Sequence, residues 1–491
     1  MTVPSRSVKW LVCALSLSVP TAYGQHLSLA NALGGPYSRL FVSRDLPAPT
    51  DAAAFPNRWT MEYGNCEKNA AFPVPKNVPH WIVHGVKWNY AEARSWPLSF
   101  TKAIATGVLG PKSAPAVQTQ FLGNSVGVSA ADGMIYAESD DQFIYALNAK
   151  TGQLIWRNSP VAGTFMGTPL VVGNTLYVSS GSVTFSYGNV MRFKRTGFAP
   201  RGASAGYNAV LALNRTDGQV KWLYWTRAED MPTPAYSRGK IYFDNGNGNF
   251  YCLDAKTGRL VWKAHVGGMA NMSSPIVYQT LVIAGMGNPG YLYALDRRTG
   301  KTVWKTKIPD AFNTGAGDVS PIVYHGIVVQ DSITSPKRLN GIMTVQNTVI
   351  AYNAQSGAIL WMKRMGRGPL PPAFKAGMPM VHEGIVYVGS PVTNVYQAYN
   401  VHTGERLWSW HIPSAGPQGS GRGPATYYQG KLYVATGADV YALNPSNGKT
   451  LGSYHIGGRF GIVNPVIVGG TVYLANSWDW ISAIPLRFIT E

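Results

Sequence analysis

Seven prolines along the chain each open a short apolar stretch, and the residue three places ahead of each invites comparison. It is Met166 before Pro169, Met231 before Pro234, Met272 before Pro275, Ala376 before Pro379, Gly421 before Pro424 and Ile462 before Pro465. These six are small or apolar. The seventh is Asp318, before Pro321, within Gly315-Ala316-Gly317-Asp318-Val319-Ser320. One carboxyl thus breaks an uncharged series in a chain that has only 23 Asp plus Glu. Two roles suit it. A turn aspartate accepts hydrogen bonds from nearby backbone amides. A general acid donates a proton to a leaving group, which an Asp can do in acid, where it is protonated. Asp331 is the reserve candidate for the acid. Cations lie in the equivalent loops: Lys375, Arg422 and Arg459, with Arg367 somewhat earlier in Gly366-Arg367-Gly368-Pro369. Guanidinium groups fork onto tetrahedral oxyanions such as sulfonate. Taken singly, each cation reads as a solvated surface charge; gathered around one Asp, they read as the seat of a small anion. The nine histidines show no metal-ligand spacing, so neither a metal nor another cofactor is expected. His325 falls in a hairpin turn and reads as structural.

Those loops meet only if the chain brings them to one face, and an internal repeat supplies the means. Each unit is a strand ending in a small residue, a hydrophobic residue and Asn or Asp, then a turn with Gly, then a strand ending in Trp. It runs Tyr145-Ala146-Leu147-Asn148, Gly152, Trp156, and recurs as Leu211-Ala212-Leu213-Asn214, Gly218, Trp222. Further copies carry Asn/Asp, Gly and Trp at Asp254, Gly258, Trp262; Asp296, Gly300, Trp304; Asn353, Gly357, Trp361; and Asn400, Gly404, Trp408. A seventh, with Asn444 and Gly448, has Gly452 where Trp is expected. The Asn or Asp starts the turn by bonding its own backbone, the Gly takes positive φ, and the Trp is a wedge for packing sheet on sheet. Cys252 fills a slot held by Ala in the other copies and reads as a small buried filler.

A second hairpin precedes each unit, as in Pro275-Ile276-Val277-Tyr278, giving four strands per repeat, the size of a propeller blade. The expected fold is all-β, an eight-bladed β-propeller, with seven blades as the alternative. Successive turn glycines are 66, 40, 42, 57, 47 and 44 residues apart, which places insertions near 182–207 and 331–347. The stretch Asn464 to Leu486 lacks a Trp strand of its own; an N-terminal strand, within Val86 to Tyr90 or Ser99 to Ile104, could complete it and remove an open edge. The domain reading is therefore 1–24 as a signal peptide, 25–120 as an extension contributing a closing strand, and 121–491 as propeller.

Composition narrows the function classes. Charged residues are 13% of the 491, against roughly 25% in average soluble proteins. With 42 Lys plus Arg the formal charge is +19. The basic residues are scattered rather than clustered, which argues against nucleic acid as a partner and for an anionic small molecule or surface. A scarcity of carboxylates also suits an exported protein bathed in acid, where folds relying on ionised Asp and Glu lose that support. Arg6 and Lys9 precede the apolar run Trp10 to Val19, and Ala22-Tyr23-Gly24 provides small residues at cleavage spacing, so a secretory signal ending near residue 24 is expected. Cys13 would go with it, and export would permit a disulfide between Cys66 and Cys252. The expected location is the periplasm or outer-membrane surface, with outer-membrane association compatible with either.

The core A-x-[DN]-x-x-[TS]-G-x-x-x-W, as in Ala146 to Trp156, resembles the pyrroloquinoline-quinone enzyme-type repeat from about Ser125 to Leu486, and so implies a quinoprotein-like propeller. Three groups share it. Quinone-dependent dehydrogenases are usually longer and carry adjacent cysteines, absent here. Non-catalytic outer-membrane assembly scaffolds are shorter lipoproteins without two long insertions. Length, acid-poor composition and the two enlarged blades most resemble the tetrathionate hydrolases of acidophilic sulfur oxidisers. That resemblance implies hydrolysis of tetrathionate to thiosulfate, sulfate and elemental sulfur. Asp318 would be the acid, and Arg367, Lys375, Arg422 and Arg459 would hold the substrate. A homodimer through the insertion loops is expected, with the dehydrogenase and the scaffold as alternatives.

Overall fold

A computed structural model describes residues 125–139, 144–158, 160, 167–181, 208–226, 230–268, 273–287, 289–312, 319–371, 375–413, 421–460, 464–476 and 480–490, with three short strands nearer the N-terminus. The signal stretch, Cys66, the first insertion near 182–207 and Asp318 lie outside the described residues.

The described residues form eight sheets, one per blade of a β-propeller. Blade 1 comprises Ser125–Ala131, Met134–Ser139, Ile144–Asn148 and Leu154–Asn158, with Ser43–Arg44 paired antiparallel on its outer edge. Blades 2, 3 and 4 have innermost strands Leu170–Val172, Ala235–Ser237 and Ile276–Tyr278, and outermost strands Val220–Thr226, Leu260–His265 and Thr302–Lys307. Blade 5 starts with Ile322–Tyr324. Its other strands, Ile327–Leu339, Ile342–Asn353 and Ile359–Pro369, run on past the sheet, so the second insertion is a hairpin continuous with the blade. Blade 6 spans Met380–His382 to Arg406–His411. Blade 7 has Thr426–Tyr428, the run Lys431–Leu443 through positive-φ Gly437, and Thr450–Phe460.

Blade 8 takes Val466–Val468, Thr471–Asn476 and Trp480–Pro485 from the C-terminal end. Its fourth strand is Trp88–Ala91, antiparallel to Trp480–Pro485, while Ala71–Phe72 pairs parallel with its innermost strand. Blade 8 then meets blade 1, where the Tyr473 hydroxyl donates to the Ala149 carbonyl at 3.1 Å. Joining the two chain ends in one blade removes a sheet edge that would otherwise template aggregation.

The repeat residues do what their chemistry allows. The Asn148 side chain accepts from the amides of Lys150 and Thr151 at 2.9 and 3.0 Å, and Gly152 N–H closes the turn on Asn148 O. Each Trp indole donates to a carbonyl of the following blade: Trp156 to Arg215, Trp222 to Ala255, Trp262 to Arg297, Trp304 to Ala354, Trp361 to Val401 and Trp408 to Pro445, all at 2.8–3.0 Å. The same ring lies flat on the next blade's turn glycine. A Cβ on Gly300, for example, would sit 2.5 Å from Trp262 Cε3. The glycine thus serves twice, adopting φ 72° and leaving room for the indole. The exception explains itself: at Gly452 the backbone of the C-terminal helix Arg487–Thr490 occupies the space, and a Cβ there would overlap the Ile489 carbonyl. Cys252 is a buried free thiol, its pKa pushed up to about 12 by burial, which makes it inert. His325 adopts φ 43° in its turn and packs edge-on against Tyr324.

Nearer the axis a second linkage joins the blades. In blades 2 to 5 the residue just before the innermost-strand proline donates its backbone N–H to the side chain of its counterpart in the next blade. Thr168 N donates to Thr233 Oγ1 at 2.7 Å, Thr233 N to Ser274 Oγ at 2.8 Å, Ser274 N to Ser320 Oγ at 2.8 Å, and Ser320 N to Met378 Sδ at 3.3 Å. Met378 N then donates to Arg422 O at 2.9 Å. All these donors are buried, so each amide would carry a desolvation cost without its partner.

Gly300→Ala should destabilise the protein by about 1–3 kcal/mol, because it combines a strained positive φ with overlap on the Trp262 ring. Urea unfolding monitored by tryptophan fluorescence measures this, and an unchanged midpoint would refute the wedge account.

Candidate functional site

Among the described residues, blades 5, 6 and 7 carry the sequence candidates Lys375 and Arg422 just ahead of their innermost strands and Arg367 on the blade 5 hairpin. Asp318 lies outside the described residues, but the residues that follow it are firmly held. The Val319 carbonyl accepts from Gln330 Nε2 at 3.0 Å, and Ser320 takes part in the amide chain on both sides. In blade 6 Lys375 is 7% exposed, and in blade 7 Arg422 is 3% exposed. Neither is the solvated surface charge that composition alone suggests. Arg459 is on the strand Thr450–Phe460, and its side chain is outside the described residues. Arg367 sits on the extended last strand of blade 5, where its guanidinium donates to Thr344 Oγ1 at 3.1 Å and Ser335 O at 2.9 Å. These bonds tie it to the long hairpin.

Asp331, the reserve candidate, is fully buried. Its Oδ1 accepts from Ser332 N at 2.9 Å and from Asn347 Nδ2, and its Oδ2 accepts from Gly377 N at 2.9 Å. Burial pushes its pKa from 3.8 up to about 8, outweighing the three donors that pull it down. The carboxyl is therefore neutral in acid and near neutrality, and it links blade 5 to the loop leading into blade 6. The pattern recurs. Glu138, Asp244 and Asp331 are each the fifth residue of the second strand, in blades 1, 3 and 5, and all three are buried. Glu138 lies against Gly167, two residues before Pro169, as Asp331 lies against Gly377, two residues before Pro379; a Cβ on Gly167 would be 3.0 Å from Glu138 Oε1.

Three glycines make the junction of blades 6 and 7 unusually close. A Cβ on Gly377 would overlap Gly389 O and come within 2.8 Å of Gly421 O, and one on Gly389 would overlap Gly421 O. Lys375 is two residues from Gly377, and Arg422 follows Gly421 directly. Sequence reasoning singled out the two cations but missed this backbone contact and the Thr/Ser chain. The visible signal for the chain was the small hydroxyl residue ahead of Pro169, Pro234, Pro275 and Pro321. Among the described residues no group of three or more His, Cys, Asp or Glu side chains is arranged to hold a metal ion.

The raised pKa of Asp331 makes stability pH-dependent. Its folded-state pKa lies above the unfolded one, so its contribution is complete below about pH 4 and is lost progressively as pH rises to about 8. Asp331→Asn cannot ionise. The wild-type advantage in urea midpoint over Asp331→Asn should therefore shrink steadily across that window, and a gap independent of pH would contradict the assignment.

The family model described as outer membrane protein assembly factor BamB matches residues 93–222, 197–333 and 288–485. Among solved structures, BamB from Moraxella catarrhalis superposes with a TM-score of 0.53 at 15% identity, covering 73% of this chain and 96% of that one; this likeness supports the fold alone. Among curated proteins, the tetrathionate hydrolase of Acidithiobacillus ferrooxidans is 49% identical over 458 residues, 93% of this chain and 91% of the relative. The tetrathionate hydrolase of Acidianus ambivalens is 37% identical over 465 residues, 89% of this chain and 85% of the relative. A chain matched this closely along nearly its whole length, and built on the same repeat, belongs to the tetrathionate hydrolase family within the BamB-like group of propeller proteins.

Proposed function

We propose that this protein hydrolyses tetrathionate to thiosulfate, sulfate and elemental sulfur at acid pH, with Asp318 as general acid in a cation-lined cavity on one face of the propeller. The observation that carries the proposal is 49% identity over 93% of the chain to a protein named for that activity. The burial of Lys375 and Arg422 in adjoining loops supports it, since buried cations bind a dianion more strongly than solvated ones. One tetrathionate and one water give thiosulfate, sulfate, one sulfur atom and two protons. Atoms and charge balance without an outside oxidant, because the electrons released in taking one sulfonate sulfur to sulfate are accepted by a sulfane sulfur that leaves in thiosulfate. Asp318, in its protonated form, would supply the proton to the departing sulfur as water adds. Its placement two residues before Ser320, in a loop fastened at Val319 and Ser320, would keep such a donor in a fixed position.

The reading extends to a homodimer. The tip of the blade 5 hairpin exposes Leu339 and Ile342, which suit a contact with a second copy. It also extends to an exported protein of the periplasm or outer-membrane surface, in keeping with the few carboxylates and the apolar run near the N-terminus. Arg459 completes the proposed cation set. Arg367 would reach the substrate only by giving up its bonds to Thr344 and Ser335.

The test is an assay of purified protein with tetrathionate at about pH 3 and about pH 7, where a carboxyl of ordinary pKa is respectively protonated and ionised. Wild type should be active in acid. Asp318→Asn should lower kcat on the order of 100-fold or more, and Lys375→Gln or Arg422→Gln should raise KM about tenfold, the effect of losing roughly 1.4 kcal/mol of binding. Unchanged rates in Asp318→Asn would remove it from the chemistry. Quinone absorbance with dye reduction by alcohols would replace the proposal with the dehydrogenase reading, and capture of outer-membrane proteins without turnover with the scaffold reading.

A further inference from the structure

Asp331 lies on the second strand of blade 5, Ile327–Leu339, yet its carboxyl reaches out of that blade. Oδ2 accepts the N–H of Gly377, at the entry to blade 6, at 2.9 Å. Oδ1 is held in its own blade by Ser332 N and Asn347 Nδ2. The carboxyl is therefore a bracket with one side fixed to the sheet and the other to the loop.

What it brackets is the most crowded backbone of the described residues near the cation loops. Gly377 packs without any side chain against Gly389 and Gly421, and Met378 N donates to Arg422 O at 2.9 Å. A displacement of Gly377 must therefore move residue 421 as well. Lys375 and Arg422, both buried, are attached within two residues of these contacts on either side. Their relative position is set by backbone, and a side-chain oxygen of Asp331 holds the Gly377 N–H. Glu138 makes the comparable approach to Gly167 in blades 1 and 2, where the loop carries no cation at the equivalent place. Among the described residues, the bond from Gly377 N to Asp331 is the one that adjoins buried cations.

We propose that Asp331 is a positioning residue that fixes segment 375–378 and, through the Gly377–Gly421 contact, sets Lys375 and Arg422 as a single clamp for the substrate's sulfonate oxygens. Asp331 itself touches no substrate; its three partners already occupy it. This role rests on the reading that Lys375 and Arg422 bind tetrathionate. An aspartate suits the position because it presents only acceptors toward Gly377 N–H when ionised and can still accept there when protonated on its other oxygen or lone pair. An asparagine that kept its Oδ1 toward Ser332 and Asn347 would turn an NH₂ toward that N–H, and two donors facing each other at a buried site push the loop away.

The experiment compares wild type, Asp331→Asn and Lys375→Gln as full-length enzymes, by steady-state kinetics with tetrathionate and by hydrogen exchange read by mass spectrometry. Asp331→Asn should raise KM about tenfold with kcat within about twofold, the pattern of lost ground-state binding. It should also speed exchange in segment 375–378 while leaving the innermost strands of blades 1 to 4 as protected as in wild type. A KM and an exchange pattern equal to wild type in Asp331→Asn, with KM raised in Lys375→Gln, would overturn the positioning role and leave the anion-binding reading intact. A KM unaltered in Lys375→Gln would overturn that reading and this role with it. Should Asp331→Asn fail to accumulate as folded protein, Asn347→Ala decides the matter, because it removes one donor from the carboxyl and leaves the carboxyl in place. It should raise KM about threefold with faster exchange in 375–378, and no change in either would overturn the proposal.

Discussion

The indole of one blade lying on the turn glycine of the next is the contact on which the rest of this structure depends. It recurs from Trp156 on Gly218 to Trp408 on Gly448, and it joins two requirements in one residue pair. The turn needs a residue that tolerates positive φ, and the wedge needs a surface with no Cβ. Because blades 1 to 6 are each attached to the next in the same way, the angle between these blades is set locally by repetition. Where the chain departs from the pattern, at Gly452, the C-terminal helix takes the place of the indole. The circle is then completed by strands from both ends of the chain.

The interior linkage is of a different kind. Backbone amides ahead of the innermost prolines are passed from blade to blade through Thr, Ser and Met side chains, none of which carries charge at any pH of interest. Asp331, the carboxyl that joins this zone to blade 5, is buried, and burial favours its neutral form. Junctions made of hydroxyls and an uncharged carboxyl hold no negative charge for acid to remove.

The same rigidity serves the candidate site. Loops are ordinarily the most variable part of a repeat fold, yet the described residues just ahead of the innermost strands of blades 5, 6 and 7 are fastened on several sides. Val319 is held by Gln330, Ser320 by its neighbours in the amide chain, Gly377 by Asp331, and Gly421 by the Thr436 hydroxyl. Preorganised charge costs no rearrangement when a dianion arrives, which is the condition under which electrostatic binding and catalysis are most effective.

The sequence by itself determined the blade. Asn or Asp, Gly and Trp recur at fixed spacing because a turn, a positive φ and a wedge each demand one residue type, and that demand is local enough to be seen in the order of residues. The small Cys252 in an alanine slot and the missing Trp at position 452 were legible for the same reason. It also picked out Lys375 and Arg422 by their place in the loops ahead of the innermost strands. Only the tertiary structure decided that these cations are buried, that Arg367 is engaged by its own hairpin, and that Asp331 reaches into the next blade. Burial and inter-blade contact join residues such as Asp331 and Gly377, 46 positions apart, whose meeting depends on the angle between blades and leaves no periodic trace in the chain.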